Sequence, residues 1–221
     1  MSTDVVLFGT GDFARVASVY LEEDSPYKVV AFSVHEAFRS EPTLLGKPVV
    51  PFERLAAEFP PEQCDMFVAV GFSRLNKARA EVYHAAKAQG YKLITYINSK
   101  AAVWGHVELG DNCFVFENNV LQPFVKIGSN TILWSGNHIG HDAVIGDHCF
   151  ITSHAVISGN TKIGNNCFIG VNATIRDGVS IGDESIIGAG ALILKDAAPF
   201  SVFQGQATEV SRVPSHRLKA V

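Results

Sequence analysis

The chain has 221 residues, of which 47% are hydrophobic, and a formal net charge of −4. This negative balance argues against nucleic acid as the main partner. No apolar run reaches membrane-spanning length and the start lacks the basic region of a signal peptide, so we expect a cytoplasmic protein without membrane insertion. The cysteines lack the spacing of a zinc site, and we expect no metal.

Residues 1–98 alternate predicted strands with predicted helices. Apolar runs predict strands at 4–8, 28–33, 66–70 and 92–97, with an extended segment at 48–51. The predicted helices lie at 15–23, 52–58 and 75–90. Strands that alternate with helices are typical of a parallel sheet, so we predict an α/β, half-Rossmann βαβ domain over residues 1–98.

A glycine-containing turn, Gly9-Thr10-Gly11-Asp12-Phe13, follows the first predicted strand. Ala14 replaces the third glycine of the dinucleotide fingerprint and no acidic residue ends the second strand, which argues against NAD. A glycine turn that opens a helix still offers N–H groups to an anion, so it predicts either a nucleotide-diphosphate site or a plain structural turn. Ligands of open α/β sheets lie beyond the carboxyl ends of the strands. The candidate substrate-binding residues of this domain are therefore Gly9, Gly11, Asp12, Phe13, Ser33 and Gly71.

The second half of the chain carries a strict six-residue repeat. Every sixth residue is aliphatic, at Leu109, Val115, Leu121, Ile127, Leu133, Ile139, Ile145, Ile151, Ile157, Ile163, Ile169, Ile175, Ile181, Ile187 and Ile193. This period fits neither an amphipathic helix nor a lone strand, and it is the repeat of a short strand and a turn in a solenoid. Three hexapeptides make one triangular coil. We predict a parallel β-helix over residues 99–195 and a tail over 196–221.

Histidines in this repeat are candidates for a general base, because histidine titrates near neutral pH. By the register, His141 lies at a corner, where the adjacent Asp142 favours its protonated form and fixes its tautomer. We predict these two as the catalytic pair; the alternative is a solvated turn. His138 points outward from the preceding strand, whereas His148 and His154 occupy the next two corners, on different edges of one prism. Only a neighbouring subunit can bring such edges together.

The order of the two domains resembles that of the bacterial nucleotide-sugar acetyltransferases that make bacillosamine and N-acetylperosamine, and of the related sialic-acid O-acetyltransferase group. The matching segments are Gly9 to Phe13, Gly71 with Arg79, Ile139-Gly140-His141-Asp142, and Ile187-Gly188-Ala189-Gly190-Ala191. The resemblance implies a left-handed β-helix and a homotrimer with active sites between subunits. It also implies a nucleotide-linked amino sugar and acetyl-CoA as the two substrates, with a histidine base.

The resemblance assigns further residues to the two substrates. It places the backbone of Gly188, Ala189 and Gly190 along the acetyl-CoA arm, and Phe150, Gly170 and Val171 are further candidate cofactor contacts. Lys195 follows the last coil and is a candidate for the CoA phosphates; the alternative is a solvated tail. His138 and His154 are candidate substrate contacts. A second, assisting histidine is His138, His148 or His154, and the sequence leaves the choice open.

These observations favour acetyl-CoA-dependent N-acetylation of a nucleotide-linked amino-deoxysugar of the 4-amino-4,6-dideoxyhexose type, for surface polysaccharide or glycan synthesis. O-acetylation of a sugar hydroxyl and non-catalytic binding of a nucleotide sugar stay open as alternatives. A metal-dependent carbonic anhydrase on the same type of helix is disfavoured, because the histidine spacings differ from those of its metal ligands. The nucleobase, the sugar and the acylated position are not defined by the sequence.

Overall fold

The computed structural model describes residues 3–217. Its N-terminal strands are β1 (Thr3–Phe8), β2 (Tyr27–Val34), β3 (Thr43–Leu44), β4 (Lys47–Pro51) and β5 (Asp65–Val68). The helices are α1 (Asp12–Asp24), α2 (Leu55–Glu58) and α3 (Lys77–Ala88), with short 3-10 turns at Glu36–Phe38, Phe52–Arg54 and Ser215–Arg217. The strand order is β3-β4-β2-β1-β5, and every pair is parallel except the β3–β4 hairpin. The predicted parallel α/β sheet is present, and an antiparallel edge is added to it.

The predicted fourth strand at 92–97 belongs to this sheet only at its start, where the Met66 N–H donates to Lys92 O and the Ile94 N–H donates to Met66 O. Leu93 makes a single bridge to Met66. Tyr96–Ile97 instead pairs with Phe114–Val115 in the β-helix. The apolar residues of this segment are buried because it crosses from one domain into the first coil of the other.

The β-helix consists of two-residue strands on three faces. Face 1 contains β6 (Tyr96–Ile97), β9 (Phe114–Val115), β12 (Ile132–Leu133), β15 (Phe150–Ile151), β18 (Phe168–Ile169), β21 (Ile186–Ile187) and β23 (Val202–Phe203). Face 2 contains β7 (Ala102–Val103), β10 (Val120–Leu121), β13 (His138–Ile139), β16 (Val156–Ile157), β19 (Thr174–Ile175) and β22 (Leu192–Ile193). Face 3 contains β8 (Glu108–Leu109), β11 (Lys126–Ile127), β14 (Val144–Ile145), β17 (Lys162–Ile163) and β20 (Ser180–Ile181).

Residues 18 apart stack on one another, as the register Val120, His138 and Val156 shows. The corners therefore line up as three edges, which we name by the faces that they join. The 1–2 edge contains residues 116–119, 134–137, 152–155, 170–173 and 188–191. The 2–3 edge contains residues 104–107, 122–125, 140–143, 158–161 and 176–179. The 3–1 edge contains residues 110–113, 128–131, 146–149, 164–167 and 182–185.

The six-residue ladder forms the interior of the prism. From Leu121 to Ile193 its aliphatic side chains are at most 4% exposed, and small corner residues such as Cys149 and Ala155 pack beside them. Burial of such side chains contributes about 1.5–3 kcal/mol each. The predicted ladder is thus confirmed as the hydrophobic core of the second domain.

The N-terminal domain packs on face 1. The outward residues Phe114, Ile132 and Phe150 share one buried cluster with β1, β2 and α1. On the adjoining 3–1 edge, Asn112 accepts a hydrogen bond from the Val68 N–H of the N-terminal domain at 2.8 Å. Face 1 is therefore covered along much of its length by the chain's own first domain.

Candidate active site

The His141–Asp142 pair lies on the 2–3 edge and is half-exposed. Asp142 adopts a left-handed backbone conformation (φ 58°), which asparagine and aspartate tolerate better than most residues. Its Oδ2 lies 2.9 Å from His141 Nδ1, and the His141 N–H donates to Gln122 Oε1 at 2.9 Å. If Nδ1 carries the proton toward the carboxylate, Nε2 keeps a free lone pair. This is the arrangement that a general base requires.

The His141 ring packs against Gly159, which occupies the next coil of the same edge. A Cβ built on Gly159 would lie 2.7 Å from His141 Nε2 and 2.9 Å from Asp177 Oδ1. We expect Gly159→Ala to displace the ring and lower kcat/KM by about 100-fold, the effect of a misplacement of about 1 Å. Steady-state kinetics on the purified variant measures this.

Gly105→Ala is a matched control, because Gly105 occupies the same column of the 2–3 edge and a Cβ there would meet nothing within 4 Å. Neither glycine has a positive φ, so backbone strain does not complicate the comparison. Equal kcat/KM values for the two variants would show that the contact between the His141 ring and Gly159 is not needed for activity.

The residues predicted along acetyl-CoA lie mainly on the 1–2 edge, together with His154. Val171, Ala189 and Gly190 are at the surface, whereas Gly170 is buried and its N–H donates to Ile187 O. The Gly188 N–H is likewise used, by Phe203 O at 2.7 Å. A cavity of about 340 Å³ adjoins this end of the edge, lined by Gly190, Ala191, Leu192, Ile193, Phe203, Gln204 and Gln206.

The candidate base and the candidate cofactor residues are separated within one protomer. His141 lies on the 2–3 edge, and the half-buried His138 lies on face 2 between the two edges. Lys195 is exposed beyond the last face 2 strand, at the far end of the 2–3 edge. One copy of the chain therefore does not assemble the predicted site.

Phe150 lies outside these edges, which corrects its assignment to the cofactor. Its ring is 3% exposed, packs on Phe72 and Phe168, and has the Arg79 guanidinium 5.6 Å from its centroid. As an outward residue of face 1, it is covered by the N-terminal domain. It contributes to domain packing and has no surface to offer acetyl-CoA.

The glycine turn has both structural and exposed parts. Gly9 (φ 129°) approaches β5 so closely that a Cβ would lie 2.6 Å from Ala69 O, and its N–H donates to Ser33 O. Gly11 precedes α1 without a side-chain cap, so the first N–H groups of the helix stay open to an anion. Asp12 is exposed in that first turn, and a cavity of about 120 Å³ lies beside the neighbouring Thr10.

Three other predicted substrate contacts have side chains or carbonyls engaged elsewhere. Ser33, predicted as a substrate-binding residue, is fully buried. The Phe13 ring packs among aromatic rings of both domains, including Phe67 and Phe114. The Gly71 carbonyl accepts a hydrogen bond from Arg79 Nη1 at 2.9 Å. These residues shape the turn and its docking, and the exposed Gly11 and Asp12 remain the candidates for contact.

The repeats and the whole chain both match known proteins. A profile described as bacterial transferase hexapeptide (six repeats) matches residues 124–159 and 160–195. The acetyltransferase domain of PglB from Neisseria gonorrhoeae, solved with acetyl coenzyme A, is 26% identical, with a TM-score of 0.83 over 93% of this chain and 97% of that one. A variant of perosamine N-acetyltransferase from Caulobacter crescentus, solved with CoA and GDP-perosamine, is 27% identical, with a TM-score of 0.82 over 91% and 93%. A comparison with curated protein sequences found no match to this chain.

The chain is an acyltransferase that carries hexapeptide repeats over residues 124–195. The predicted resemblance to bacterial sugar acetyltransferases is confirmed, as is the fold class of an α/β domain followed by a left-handed β-helix. WeeI from Acinetobacter baumannii, at 20% identity and a TM-score of 0.82, shares the fold over 92% of this chain and 97% of that one. Within residues 3–217, no helix is long and apolar enough to cross a membrane, and no cluster of three His, Cys, Asp or Glu side chains is arranged to hold a metal.

One cleft of this acyltransferase was not anticipated from the sequence. It has a volume of about 390 Å³, lies between α1 and the first coils, and is lined by Val19, Tyr20, Glu23, Asp24, Asn98, Lys100 and Glu117. Glu117, on the 1–2 edge, accepts hydrogen bonds from Tyr20 Oη at 2.9 Å and Ser135 Oγ at 2.7 Å. Burial opposes ionisation of Glu117, but the hydrogen bonds from Ser135 and Tyr20 outweigh it and lower its pKa. Tyr20 and Glu117 are 97 residues apart in the sequence, so a local sequence pattern cannot predict their contact.

His148, one of the three candidates for the assisting histidine, is part of the domain junction. It is half-buried on the 3–1 edge, its Nδ1 lies 2.8 Å from Asn130 Nδ2, and its ring packs on Tyr83 and His84. Burial lowers its pKa below the ordinary value of 6.5; the charges of His84 and Arg79 add to this, and Asp147 and Asp111 oppose it.

The free energy of unfolding should therefore decrease as the pH falls below about 6.5, because the unfolded chain then binds a proton that folded His148 resists. Above that pH the contribution of His148 is fully present. His148→Asn keeps a residue suited to the left-handed corner (φ 60°) and should flatten this slope. Urea unfolding between pH 5 and pH 8 measures it, with the exposed corner variant His154→Asn (φ 59°) as control. If the free energy of unfolding of His148→Asn depends on pH as strongly as that of the wild type, His148 is not the source of the pH dependence.

Proposed function

We propose that this protein is an acetyl-CoA-dependent N-acetyltransferase that acts on the amino group of a nucleotide-linked amino-deoxysugar, with His141 as general base. The observation that carries the proposal is the His141–Asp142 pair on a repeat edge. It occurs in a chain similar over nine-tenths of its length to enzymes solved with acetyl-CoA or with CoA and GDP-perosamine. The product is an N-acetylated nucleotide sugar, a donor for surface polysaccharide or glycan synthesis.

The chain's own residues supply proton transfer. His141 Nε2 accepts a proton from the amine as the nitrogen attacks the thioester carbonyl, so that a C–N bond forms and the C–S bond breaks. Asp142, 2.9 Å from Nδ1, stabilises the imidazolium produced in this step. The proton then passes to the departing thiolate, which leaves as the CoA thiol and restores neutral His141.

A homotrimer would complete the site. Face 1 is covered and face 3 carries the charged outward residues Glu108, Lys126 and Lys162. The outward residues of face 2 are uncharged or a histidine: Ala102, Val120, His138, Val156, Thr174 and Leu192. Charged residues are depleted at the centres of protein interfaces, so face 2 is the surface suited to self-association.

The geometry of such a trimer joins the two separated sets of residues. Face 2 is flanked by the 1–2 edge and the 2–3 edge. When three copies turn face 2 toward a three-fold axis, the 2–3 edge of one copy lies beside the 1–2 edge of the next, a heterologous contact that closes into a ring. His141 of one subunit then faces His154 and the candidate acetyl-CoA-binding residues of the next subunit. Lys195 lies farther along the same 2–3 edge as His141.

The decisive test is an assay for CoA thiol release. The protein is incubated with acetyl-CoA and a panel of UDP-, GDP- and dTDP-linked 4-amino-4,6-dideoxysugars, with the matching 4-hydroxy sugars as the O-acetylation arm. We expect thiol release with at least one amino sugar, an acetamido product by mass spectrometry, and a trimer by sedimentation velocity. Thiol release with none of them would overturn the proposed function, and a monomer at assay concentration would overturn the trimeric site.

A further inference from the structure

Phe124 is the bulkiest of the left-handed corner residues on the 2–3 edge. Its backbone is left-handed (φ 68°) although its side chain is bulky, and 53% of the residue is exposed. Such a conformation is uncommon for aromatic residues and persists where the surrounding structure enforces it. The other left-handed positions of the 2–3 edge hold the more tolerant or smaller His106, Asp142, Asn160 and Gly178. The Phe124 ring belongs to none of the buried hydrophobic clusters of the protomer.

The position of Phe124 relative to the candidate base is fixed by backbone hydrogen bonds. The Asp142 N–H donates to Pro123 O at 3.2 Å, and the His141 N–H donates to Gln122 Oε1. Residues 122–124 therefore form the rung directly beneath residues 140–142, at the strand spacing of about 4.8 Å. The Phe124 ring is one coil below the catalytic pair on the same edge.

A second ring extends this surface. The His106 ring lies parallel to the Phe124 ring, with centroids 5.4 Å apart and an interplanar angle of 17°. His106 also has a positive φ and is exposed. We name these two stacked rings the Phe124–His106 shelf.

The shelf lies on one side of His141 and the cofactor candidates lie on the other. Val171 and residues 188–190 belong to coils that follow His141 along the helix, whereas the shelf belongs to coils that precede it. The acyl donor therefore approaches from the C-terminal coils, and the acceptor side of the base is the side of the shelf. Aromatic faces bind the apolar C–H face of a sugar ring, and a 6-deoxy sugar adds a methyl group to that face.

We propose that the Phe124–His106 shelf binds the pyranose ring and C6 methyl group of the acceptor sugar and makes the enzyme selective for 6-deoxy sugars. This inference rests on the proposed function, because it assumes that an amino sugar is the acceptor. The shelf positions the ring so that the amine reaches His141 Nε2. It takes no part in proton transfer.

The test compares Phe124→Asn with Phe200→Asn. Asparagine adopts the left-handed conformation readily, so both variants should fold with an unchanged or higher Tm. Phe200 is a matched control, since it is also aromatic, exposed (70%) and left-handed (φ 64°), but lies on the 3–1 edge, next to Asp183 and just before the last strand of face 1. Isothermal titration calorimetry with the panel of nucleotide-linked 4-amino-4,6-dideoxysugars, and with analogues that carry a 6-hydroxymethyl group, measures binding independently of turnover.

We expect Phe124→Asn to weaken binding of the best 6-deoxy ligand about 10-fold, to abolish the preference over its 6-hydroxymethyl analogue, and to leave acetyl-CoA binding and the trimer intact. Phe200→Asn should behave as the wild type. Unchanged sugar affinity in Phe124→Asn, weaker acetyl-CoA binding instead, or dissociation of the trimer would each overturn the shelf. Wild-type protein that binds these sugars but releases no thiol would overturn the proposed function and leave the shelf supported, whereas no sugar binding at all would overturn both.

Discussion

His141→Ala is expected to lower kcat for thiol release by about 1,000-fold, within the range of 10²–10⁴ that general base catalysis contributes. The alanine variant lacks the imidazole that accepts the proton of the attacking amine. Because the ring is half-exposed on the surface of the prism, its loss should leave Tm and nucleotide-sugar affinity nearly unchanged. Stopped-time thiol assays with saturating acetyl-CoA, together with calorimetric affinities, separate the loss of the base from a loss of binding.

His84→Ala is the control for this variant. His84 is an exposed histidine on α3, far from the 2–3 edge, and its removal should leave kcat within a factor of two. Full activity of His141→Ala would remove the assignment of the base while leaving the proposed reaction in place. A parallel drop in both variants would point to a general effect on folding.

Arg79→Ala is expected to destabilise the protein by about 3–5 kcal/mol, the cost of breaking a buried charged network. Arg79 is fully buried and donates hydrogen bonds to the carbonyl groups of Gly71 (2.9 Å), His148 (3.0 Å), Cys149 (3.0 Å) and Asn130 (3.2 Å). Burial lowers its pKa to about 10, so the guanidinium is still charged at neutral pH. Alanine relieves the desolvation of that charge, but it leaves several buried carbonyls of two domains without donors, and the second effect is the larger.

Equilibrium urea unfolding measures this loss, and loss of a single cooperative transition would show that the two domains separate. Arg74→Ala is the control, because Arg74 is exposed beside α3 and its ion pair with Glu81 is at the surface. Surface pairs of this kind contribute little, so the transition of Arg74→Ala should coincide with that of the wild type. An Arg79→Ala protein of wild-type stability would show that the aromatic packing on face 1 holds the domains together without it.

The sequence was most informative where structure is periodic. Ladder residues such as Ile139 and Ile157 stack at 18-residue intervals, and each repeat faces the same interior, so a single count predicts the whole core. The same register placed His141, His148 and His154 on three edges, as found. The glycine turn was predictable for a related reason, since a turn from β1 into α1 has local backbone requirements, and Gly9 meets them with a φ of 129°.

The sequence was misleading where burial comes from another domain. The apolar run at 92–97 was interpreted as one sheet strand, although only its start pairs with β5 and Tyr96 is buried against the aromatic cluster of face 1. Phe150 was predicted as a cofactor contact, yet the N-terminal domain covers it. Apolar character shows that a residue is buried, and it does not show which surface buries it.

By itself, therefore, the sequence determined the β-helix, its coil register and the edge that carries His141, because these depend on interactions repeated every 6 and 18 residues along the chain. Only the tertiary structure decided how the two domains dock through Arg79, whose partners Asn130 and Cys149 are 51 and 70 residues away in the sequence. The physical reason is that a repeat specifies its nearest neighbours in space, whereas contacts between domains depend on the shape of surfaces that no repeat encodes.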